Sequence, residues 1–357
     1  MVSFIISLDT TYEMANNFFN IFLTDTFVQC SEVIVVVDGN YNLKIRNLLQ
    51  QLKNQHSNIL LFFIDKSGYG KANNLAVKQS SGEYLFFINC DIFTEKGCFE
   101  KMYDVLKSGV ADCVQPLLLY PQSNLVQCAG TFFGPYFKEH LFNGNRADTD
   151  IVQRDGPRQA LTSALYAMKR STFEELGGFD EFYYNKIEAF ELSYKIYLSG
   201  KTCWYLSSAK AWHSCGGGRN LYSFDFTQQE AYFWSRYGDK IVPDIHIYIN
   251  QQVTSEMEKK FYYTVMMSQI RSWKTILKQT NLKSISYMEM PWIGPDTFNL
   301  WNIFPNTLLN MPEPLLLIVE NIKYLRNNKY WFQVRNNSED LAIDRYANLV
   351  NIEQYIS

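Results

Sequence analysis

The sequence predicts an α/β fold in which helices flank a mostly parallel central sheet, followed by a mainly helical C-terminal region. Three observations carry this prediction. Continuous apolar runs alternate with helical stretches over the first third of the chain, and such runs are typical of parallel strands buried on both faces. The second run ends in the turn signal Asp38-Gly39-Asn40. Beyond about residue 240 the pattern changes to helical periodicity.

The predicted elements follow in order along the chain. The strands are Val2–Ser7, Glu32–Val37, Ile59–Ile64 and Glu83–Asn89, and the helices between them are Tyr12–Leu23, Leu43–Lys53 and Ala72–Gln79. The later helices are Glu256–Gln279, Leu315–Asn327 and one that begins with Ser338 as its N-cap. We therefore divide the chain into an N-terminal domain, 1–240, and a mainly helical C-terminal region, 241–357, which offers a surface for contact with a partner or a membrane.

The composition excludes several classes of function. A net charge of −3 leaves no basic excess with which to neutralise nucleic-acid phosphates. Seven scattered cysteines without a CxxC spacing favour reduced thiols over a disulfide framework or a zinc cluster. No window reaches the ~18 apolar residues of a membrane span, and the run before Asp9 lacks the basic start of a signal peptide. These features predict a cytoplasmic protein, attached at most to the inner face of a membrane.

Polar side chains follow the predicted strands at the point where each strand ends. Ligands collect at the carboxyl ends of the strands in an open parallel sheet. The strongest local signal is FFINCDIF, in which Asn89 and Asp91 point to one side of the strand and Cys90 to the other. Asp91 suits Mg²⁺ or Mn²⁺, which usually keep waters and phosphate oxygens in their shells. The alternative is a turn in which Asn89 and Asp91 only cap backbone groups.

Five blocks of the sequence occur in an order and spacing found in one enzyme family. They are VSFIIS, EVIVVVDGN, GYGKANNLAVKQSSGEYLFFINCD, GGFDEFYYNKIEAFEL, and Trp212-His213 with the glycines at 216–218. With these blocks the chain resembles the family 2 glycosyltransferases with the GT-A fold, particularly their rhamnosyltransferase-like branch, over about residues 1–235. Any one block is a weak signal, whereas five in order are specific.

The resemblance implies a reaction, a donor and an acceptor. A sugar would pass with inversion from a nucleoside-diphosphate sugar of UDP, dTDP or GDP type to a hydroxyl of a glycan or lipid-linked acceptor, in surface polysaccharide or glycan synthesis. A divalent cation, Mn²⁺ or Mg²⁺, would be the cofactor. The nucleotide-sugar site would comprise Ser7, Asp9, Asp38, Lys71, Asn74, Asn89, Cys90 and Asp91, and the metal site Asp91 and His213.

Elementary chemistry is consistent with several of these roles. Asp38 can accept a hydrogen bond from a base N–H, although an Asp at this place is otherwise a turn former. Lys71 and Asn74 begin a helix after a Gly-rich turn, and helix N-termini attract anions. A cation on Asp91 would offset charge on the leaving nucleoside diphosphate. The alternatives are a solvated charge for Lys71 and a structural role for His213.

The segment EAFEL, residues 188–192, raises a separate question. Glu188 and Glu191 are three residues apart and share one helix face. In the family an Asp that acts as general base directly follows the first acid, and here Ala189 takes its place. Three explanations are open: the natural chain has Asp there and this sequence carries an Asp→Ala change made to trap substrate; Glu188 or Glu191 acts as the base; or the protein has lost activity and only binds sugar nucleotides or glycans.

Two further alternatives concern function and the C-terminal region. A nucleotidyltransferase of related fold would carry a Gly-rich signature with a basic residue after the first strand, and SLDTTYE does not fit it. The stretch Asn321–Arg335 interleaves basic and aromatic residues, which suits an interface or a membrane surface. Its alternative is an ordinary amphipathic helix packed on the catalytic domain.

Overall fold

The computed structural model describes residues 1–39, 42–134, 137–214, 226–261, 263–266, 272–282, 286–289 and 306–357. The chain forms two compact units. The N-terminal unit consists of residues 1–131 and 147–241, and the C-terminal unit of 132–146 and 242–357. The division therefore differs in one respect from a single boundary near residue 240. A segment from the first half of the chain, Phe132–Arg146, belongs to the C-terminal unit.

Strands and helices alternate up to the strand Tyr84–Ile88, and most of the elements between it and Tyr237 are strands. The strands are β1 (Val2–Leu8), β2 (Glu32–Asp38), β3 (Ile59–Ile64), β4 (Tyr84–Ile88), β5 (Ile92–Thr94), β6 (Cys113–Leu119), β7 (Val126–Cys128), β8 (Thr131–Phe133), β9 (Lys138–His140), β10 (Gly156–Arg158), β11 (Leu165–Lys169) and β12 (Cys203–His213). The helices are α1 (Tyr12–Phe22), α2 (Thr26–Gln29), α3 (Leu43–Gln55), α4 (Tyr69–Lys78), α5 (Cys98–Lys107), α6 (Arg170–Glu175), α7 (Glu188–Leu198) and α8 (Phe226–Tyr237).

The N-terminal unit is built on one mixed sheet. In the described residues its strand order is β10-β12-β6-β11-β4-β1-β2-β3, with β5 added to β12 and β7 added to β6. The four strands β4, β1, β2 and β3 pair in parallel, as their continuous apolar runs predict. β11 then runs antiparallel between β4 and β6. The parallel half brings the carboxyl ends of β1 to β4 to one edge of the sheet.

Burial on both faces explains why these runs form strands. All seven residues of β1 are buried, and Phe4 packs edge-to-face against Phe22 and Phe99 on one side. Ile5, on the opposite face of the same strand, belongs to a second apolar cluster that includes Ala72 of α4. Two layers of helices therefore enclose the sheet. They hold the carboxyl ends of its strands in fixed positions.

The C-terminal unit also contains a sheet, which the sequence pattern did not indicate. Its strands are β13 (Tyr263–Met266), β14 (Ser286–Glu289), β15 (Leu315–Val319), β16 (Leu341–Asp344) and β17 (Leu349–Asn351). Its helices are α9 (Ile245–Asn250), α10 (Ser255–Lys260), α11 (Ser272–Lys278), α12 (Lys323–Asn327), α13 (Lys329–Arg335) and α14 (Ile352–Ile356). The strand order is β14-β13-β15-β16-β17, and only β17 is antiparallel to its neighbour among these described strands.

Three helix predictions in this region were wrong in part. The segment Leu315–Asn327 begins with β15, whose five residues are all buried, and only its second half is helical. The segment after Ser338 forms β16 and β17, and Glu256–Gln279 contains β13 between α10 and α11 in its described parts. A uniformly apolar run such as LLLIV has no polar face, so a buried strand and a buried helix cannot be distinguished by period.

The basic and aromatic stretch Asn321–Arg335 is mostly the pair of helices α12 and α13. Trp331, Phe332 and Arg335 are buried in the C-terminal unit, whereas Tyr330 and Val334 are exposed. The amphipathic character agrees with the alternative interpretation of the stretch, but the apolar cluster that contains Trp331 and Phe332 consists of residues of the C-terminal unit, where that alternative assumed packing on the catalytic domain. None of the helices in the described part of the chain combines the length and hydrophobicity that a bilayer crossing requires.

One buried acid makes the stability of the C-terminal unit depend on pH. The carboxylate of Asp344, at the end of β16, accepts hydrogen bonds from the backbone N–H groups of Ile322, Tyr346 and Asn348 at 2.9–3.1 Å. Burial outweighs these bonds and raises the pKa of Asp344 from its ordinary value of 3.8 to about 7. Between these two values the folded protein holds a proton that the unfolded chain releases.

We therefore expect stability to fall as the pH rises from about 4 to about 7, by up to about 4 kcal/mol from this group. Urea unfolding at about pH 5 and about pH 8 measures the loss. Asp344→Asn cannot ionise and should flatten the dependence, whereas Glu353→Gln, which changes an exposed acid of the same unit, should leave it as in the natural chain. An unchanged slope in Asp344→Asn would contradict the assignment.

Candidate active site

A lysine holds together the carboxyl ends of β1, β2 and β3. Asp9 follows β1, Asp38 ends β2, and Lys66 follows β3 by two residues. The Lys66 Nζ pairs with the Asp9 carboxylate and lies 3.6 Å from Oδ2 of Asp38. Ser7 is buried within β1, beside Val36 of β2. Two of the predicted nucleotide-binding acids are thus brought together, by a lysine that was not among the predicted site residues.

The Asp38 carboxylate also builds the turn that precedes α4. Its Oδ1 accepts the N–H of Ser67 at 2.6 Å, and its Oδ2 accepts the N–H of Gly68 at 3.0 Å. Gly68 has a φ of +93°, and a Cβ at this position would lie 2.7 Å from the Tyr184 carbonyl oxygen. Only glycine is compatible with both constraints. Asp38 therefore has a structural role in the turn, beside its predicted contact with a base.

The two predicted diphosphate residues on α4 differ in their surroundings. Lys71 is exposed in the first turn of the helix. Asn74 exchanges two hydrogen bonds with the backbone of Phe179, at 2.9 and 3.0 Å, and donates a third to Glu181 at 3.1 Å. A diphosphate would have to compete with these bonds for the Asn74 amide. Within the described part of the chain no hydrogen bond or ion pair of this kind engages the Lys71 side chain.

At the end of β4 the predicted Asn-Cys-Asp motif forms a tight connection to β5. The backbone N–H of Asn89 donates to Ala164, and the backbone of Asp91 accepts from Ser214 at 3.1 Å. Cys90 and Asp91 are buried, with exposures of 4% and 7%. The Asn89 Oδ1 is buried without a hydrogen-bond partner among the described residues. A buried acceptor of this kind is rare in native proteins and indicates a place for a bound water, ion or ligand.

His213, the last residue of β12, faces Asp91. The distance between His213 Nε2 and Asp91 Oδ1 is 3.3 Å, and both side chains are largely buried. On its other side, the His213 Nδ1 lies 2.7 Å from Oε1 of Gln127, and the Gln127 Nε2 donates to the His213 carbonyl at 3.0 Å. The predicted metal pair is therefore brought together. The glycines at 216–218 that follow it in the matched block lie outside the described residues.

The donor set at Asp91 and His213 fits a divalent cation that also binds a diphosphate. Because Gln127 Oε1 can only accept, the Nδ1 of His213 carries the proton, and in the neutral ring Nε2 presents its lone pair to the Asp91 carboxylate. Two acceptors at 3.3 Å are stabilised by a positive charge between them. No third acid, cysteine or histidine joins them in the described residues. Mg²⁺ and Mn²⁺ sites often have few protein ligands, with waters and phosphates completing the shell.

The three candidate catalytic residues in the first turn of α7 have different surroundings. Ala189 is 2% exposed and belongs to an apolar cluster with Tyr69, Ala72 and Leu192. Glu188 is fully buried, and its Cβ is 3.8 Å from where a Cβ on Gly70 would lie. A carboxylate at position 189 would enter the apolar cluster, where desolvation raises the pKa of an acid.

Glu191 is also fully buried, but it joins a polar network with α8. Its Oε1 accepts a hydrogen bond from the Tyr237 hydroxyl and lies 3.8 Å from Arg236, which also pairs with Asp180 at 2.5 Å. Burial raises the pKa of Glu191, and the Tyr237 hydroxyl acts against this shift. The network ties α7 to α8. Sequence reasoning missed Tyr237 and Arg236, because they lie about 45 residues from Glu191.

Part of the chain matches a known protein family. Residues 27–176 match the family described as Glycosyl transferase family 2. The chain carries a glycosyl transferase family 2 domain. The matched range of this family 2 domain runs from α2 to α6 and includes Asp38, Asp91 and Gln127. The rhamnosyltransferase-like branch stays a prediction.

Individual proteins resemble parts of the chain. The O-antigen biosynthesis protein RfbC of Myxococcus xanthus is 27% identical over 187 residues, which are 50% of this chain and 14% of that protein. The chain therefore spans a small part of this curated relative. GalNAc-T7, solved with UDP, GalNAc and Mn²⁺, has a TM-score of 0.56 and 14% identity over 80% of this chain and 55% of that one. This likeness shows the fold of the family 2 domain, which is GT-A, as predicted.

Proposed function

We propose that the chain is a glycosyltransferase that moves a sugar, with inversion, from a nucleoside-diphosphate sugar to an acceptor hydroxyl in surface polysaccharide or glycan synthesis. The observation that carries the proposal is the Asp91–His213 pair at the carboxyl edge of a GT-A sheet. The family 2 domain and the similarity to an O-antigen biosynthesis protein support the reaction class and the pathway. We place the reaction in the cytoplasm, and the C-terminal unit is our candidate for contact with the acceptor.

The residues at the sheet edge have separable roles in this proposal. Asp91 and His213 would hold Mn²⁺ or Mg²⁺, which supplies Lewis-acid stabilisation of charge on the departing diphosphate. Asp38 shapes the turn before α4 and, with Lys66 and Asp9, forms the polar end of a base pocket. Lys71 is exposed at the first turn of α4, where a helix N-terminus attracts phosphate.

For the proton acceptor we favour Glu188 over Glu191. The Glu191 carboxylate is engaged by Tyr237 and lies near Arg236, so it serves to fix α7 against α8. Glu188 lies beside Gly70 in the first turn of α4, next to the helix end assigned to the diphosphate. A base at this place can reach a hydroxyl that attacks the donor sugar.

Nucleotide binding tests the proposal directly. We expect UDP, dTDP or GDP with Mn²⁺ to stabilise the protein against heat, by about 2.7 kcal/mol at a concentration 100 times Kd. EDTA should remove most of the effect. If none of the three nucleotides stabilises the protein with Mn²⁺ present, the proposed donor site is wrong.

A second candidate function is a sugar-nucleotide-binding protein without turnover. Ala189 favours it, because this residue is an integral part of an apolar cluster where the family has its base. Turnover of a donor sugar, including its hydrolysis, should be compared in the unchanged sequence with Ala189, in Glu188→Gln and in Ala189→Asp. Activity that Glu188→Gln abolishes supports the transferase. Activity that appears only in Ala189→Asp indicates a missing carboxylate, and nucleotide binding without activity in all three supports the binding protein.

A further inference from the structure

We propose that Gln127 is a positioning residue, which holds His213 in the one tautomer and ring orientation that can bind the divalent cation. The inference rests on the metal site of the proposed function. It adds to that site a residue outside the Asn-Cys-Asp motif and outside the block that contains His213. Nothing in the local sequence VQC marks this glutamine as functional.

The amide of Gln127 contacts His213 at two points. Its Nε2 donates to the His213 carbonyl oxygen at 3.0 Å, and its Oε1 lies 2.7 Å from the His213 Nδ1. The carbonyl can only accept, so it fixes which end of the amide is the NH₂ group. The oxygen of the amide must then face Nδ1, and it accepts the ring N–H there. The proton of a neutral His213 is thereby assigned to Nδ1.

The assignment makes Nε2 the ring nitrogen that carries the lone pair with which a neutral His213 would bind a metal. This nitrogen is 3.3 Å from Oδ1 of Asp91, so the lone pair of the imidazole and the carboxylate converge on one place. Residues that bind the distal N–H of a metal-ligating histidine fix its tautomer and raise its basicity. Gln127 has the geometry of such a residue. It would act on the cation through His213, without touching it.

The strand that carries Gln127 is buried and is paired with β6 through the residues on either side of Gln127, with a shift of register between them. Val126, Gln127 and Cys128 are all buried, with Gln127 at 3% exposure. β7 pairs with the end of β6, at Leu118 and Leu119, and the same end of β6 pairs with β12 just before His213. One strand therefore sets the distance between the amide and the ring. A flexible amide would give the ring no fixed orientation.

The alternative is that Gln127 only ties β7 to β12 and stabilises the fold. This role would cost stability when the amide is removed, but it would not alter metal affinity selectively. Gln115 provides a matched control, since it is a fully buried glutamine on β6 that accepts the N–H of Thr162 at 2.8 Å. Its Nε2 donates to the Pro116 carbonyl and to the Cys128 Sγ, and among the described hydrogen bonds of its side chain none joins it to His213. Gln115→Leu should therefore lower stability without changing Mn²⁺ affinity.

Mn²⁺ binding to the full chain, followed by electron paramagnetic resonance, tests the inference. We expect Gln127→Leu to weaken Mn²⁺ binding by about 10–100-fold and to remove the ligand-nitrogen coupling seen by electron spin-echo modulation. Gln127→Glu keeps an oxygen acceptor for Nδ1–H and should retain the coupling. Urea unfolding without metal should give a cooperative transition for each of these proteins, which shows that they are folded.

The outcomes separate this inference from the proposed function. If the natural chain binds Mn²⁺ with a nitrogen ligand and Gln127→Leu does so equally well, the inference is wrong and the metal site stands. A loss of Mn²⁺ affinity in Gln115→Leu as large as in Gln127→Leu also overturns it, because the effect is then general to the sheet. If the natural chain binds no Mn²⁺ with or without UDP, the proposed metal site fails and the role of Gln127 with it.

Discussion

Asp91→Asn is expected to lower kcat/KM for metal-dependent sugar transfer by about 10²–10³-fold. The substitution keeps the size of the side chain but removes the charge that a divalent cation requires opposite His213. The backbone of Asp91 accepts the N–H of Ser214, a bond that the substitution does not touch, so the local fold should persist. The lost interaction is one that strengthens as negative charge develops on the leaving diphosphate. The effect should therefore appear in kcat as well as in KM.

The measurement is donor turnover against Mn²⁺ concentration, together with nucleotide affinity in EDTA, and urea unfolding is the check on folding. Asp104→Asn is the matched control, because Asp104 is an exposed acid on α5 and should leave every parameter unchanged. If the turnover of Asp91→Asn depends on Mn²⁺ concentration as that of the unchanged chain does, Asp91 is not a ligand of the metal. A variant that also loses nucleotide affinity in EDTA would show that Asp91 binds the nucleotide itself.

Arg335→Met should produce the largest loss of stability, about 3–5 kcal/mol in the free energy of unfolding. The Arg335 side chain is completely buried and binds both carboxylate oxygens of Asp340, at 2.6 and 3.0 Å. It also donates to the carbonyl oxygens of Leu308, Met311 and Glu313. Methionine fills much of the same volume, but it leaves the buried Asp340 carboxylate without its cation, with the Leu315 N–H still donating to it at 2.8 Å, and it removes the arginine donor from three carbonyl groups.

Urea unfolding of the natural chain and the variant measures this loss. Lys329→Met is a suitable control, since Lys329 is an exposed cation at the start of the same helix, α13. Burial already raises the pKa of Asp340 in the presence of Arg335, so the variant should gain stability at low pH, where the acid is neutral. A loss below about 1 kcal/mol would mean that the ion pair contributes no more than an exposed one.

The sequence predicts the parallel half of the first sheet well, because strands buried on both faces have uninterrupted apolar runs. β1 to β4 all lie where those runs are. The same property made β15 ambiguous, since LLLIV fits a buried strand and a buried helix equally. The insertion of Phe132–Arg146 into the C-terminal unit has no sequence signal, because it depends on contacts with residues 200 positions away.

The candidate site, like the fold, could be predicted from the sequence only in part. Asp9, Asp38 and Asp91 could be predicted because each follows a strand, and position after a strand is a local property of the sequence. The residues that contact these acids and His213 could not be predicted from the sequence. Lys66 is an ordinary lysine in a turn and Gln127 an ordinary glutamine in a short strand, and only the order of strands brings them to the acids and to His213. Pairing across a sheet is not encoded within any window of the chain.

The segment Phe132–Arg146 has a consequence for how the protein is made. Its backbone at Phe142 donates to Tyr346, Asn143 accepts from Asn348 at 2.7 Å, and Glu139 pairs with Arg345. Asn143 and Asn348 are 205 positions apart, so the ribosome releases the segment long before it synthesises its partners. The segment therefore stays without these hydrogen bonds and this ion pair until the C-terminal part of the chain has been synthesised. A protein terminated at residue 241 would contain this segment without its partners. Because each unit consists of two separate stretches of the chain, no single division of the gene encodes either unit completely.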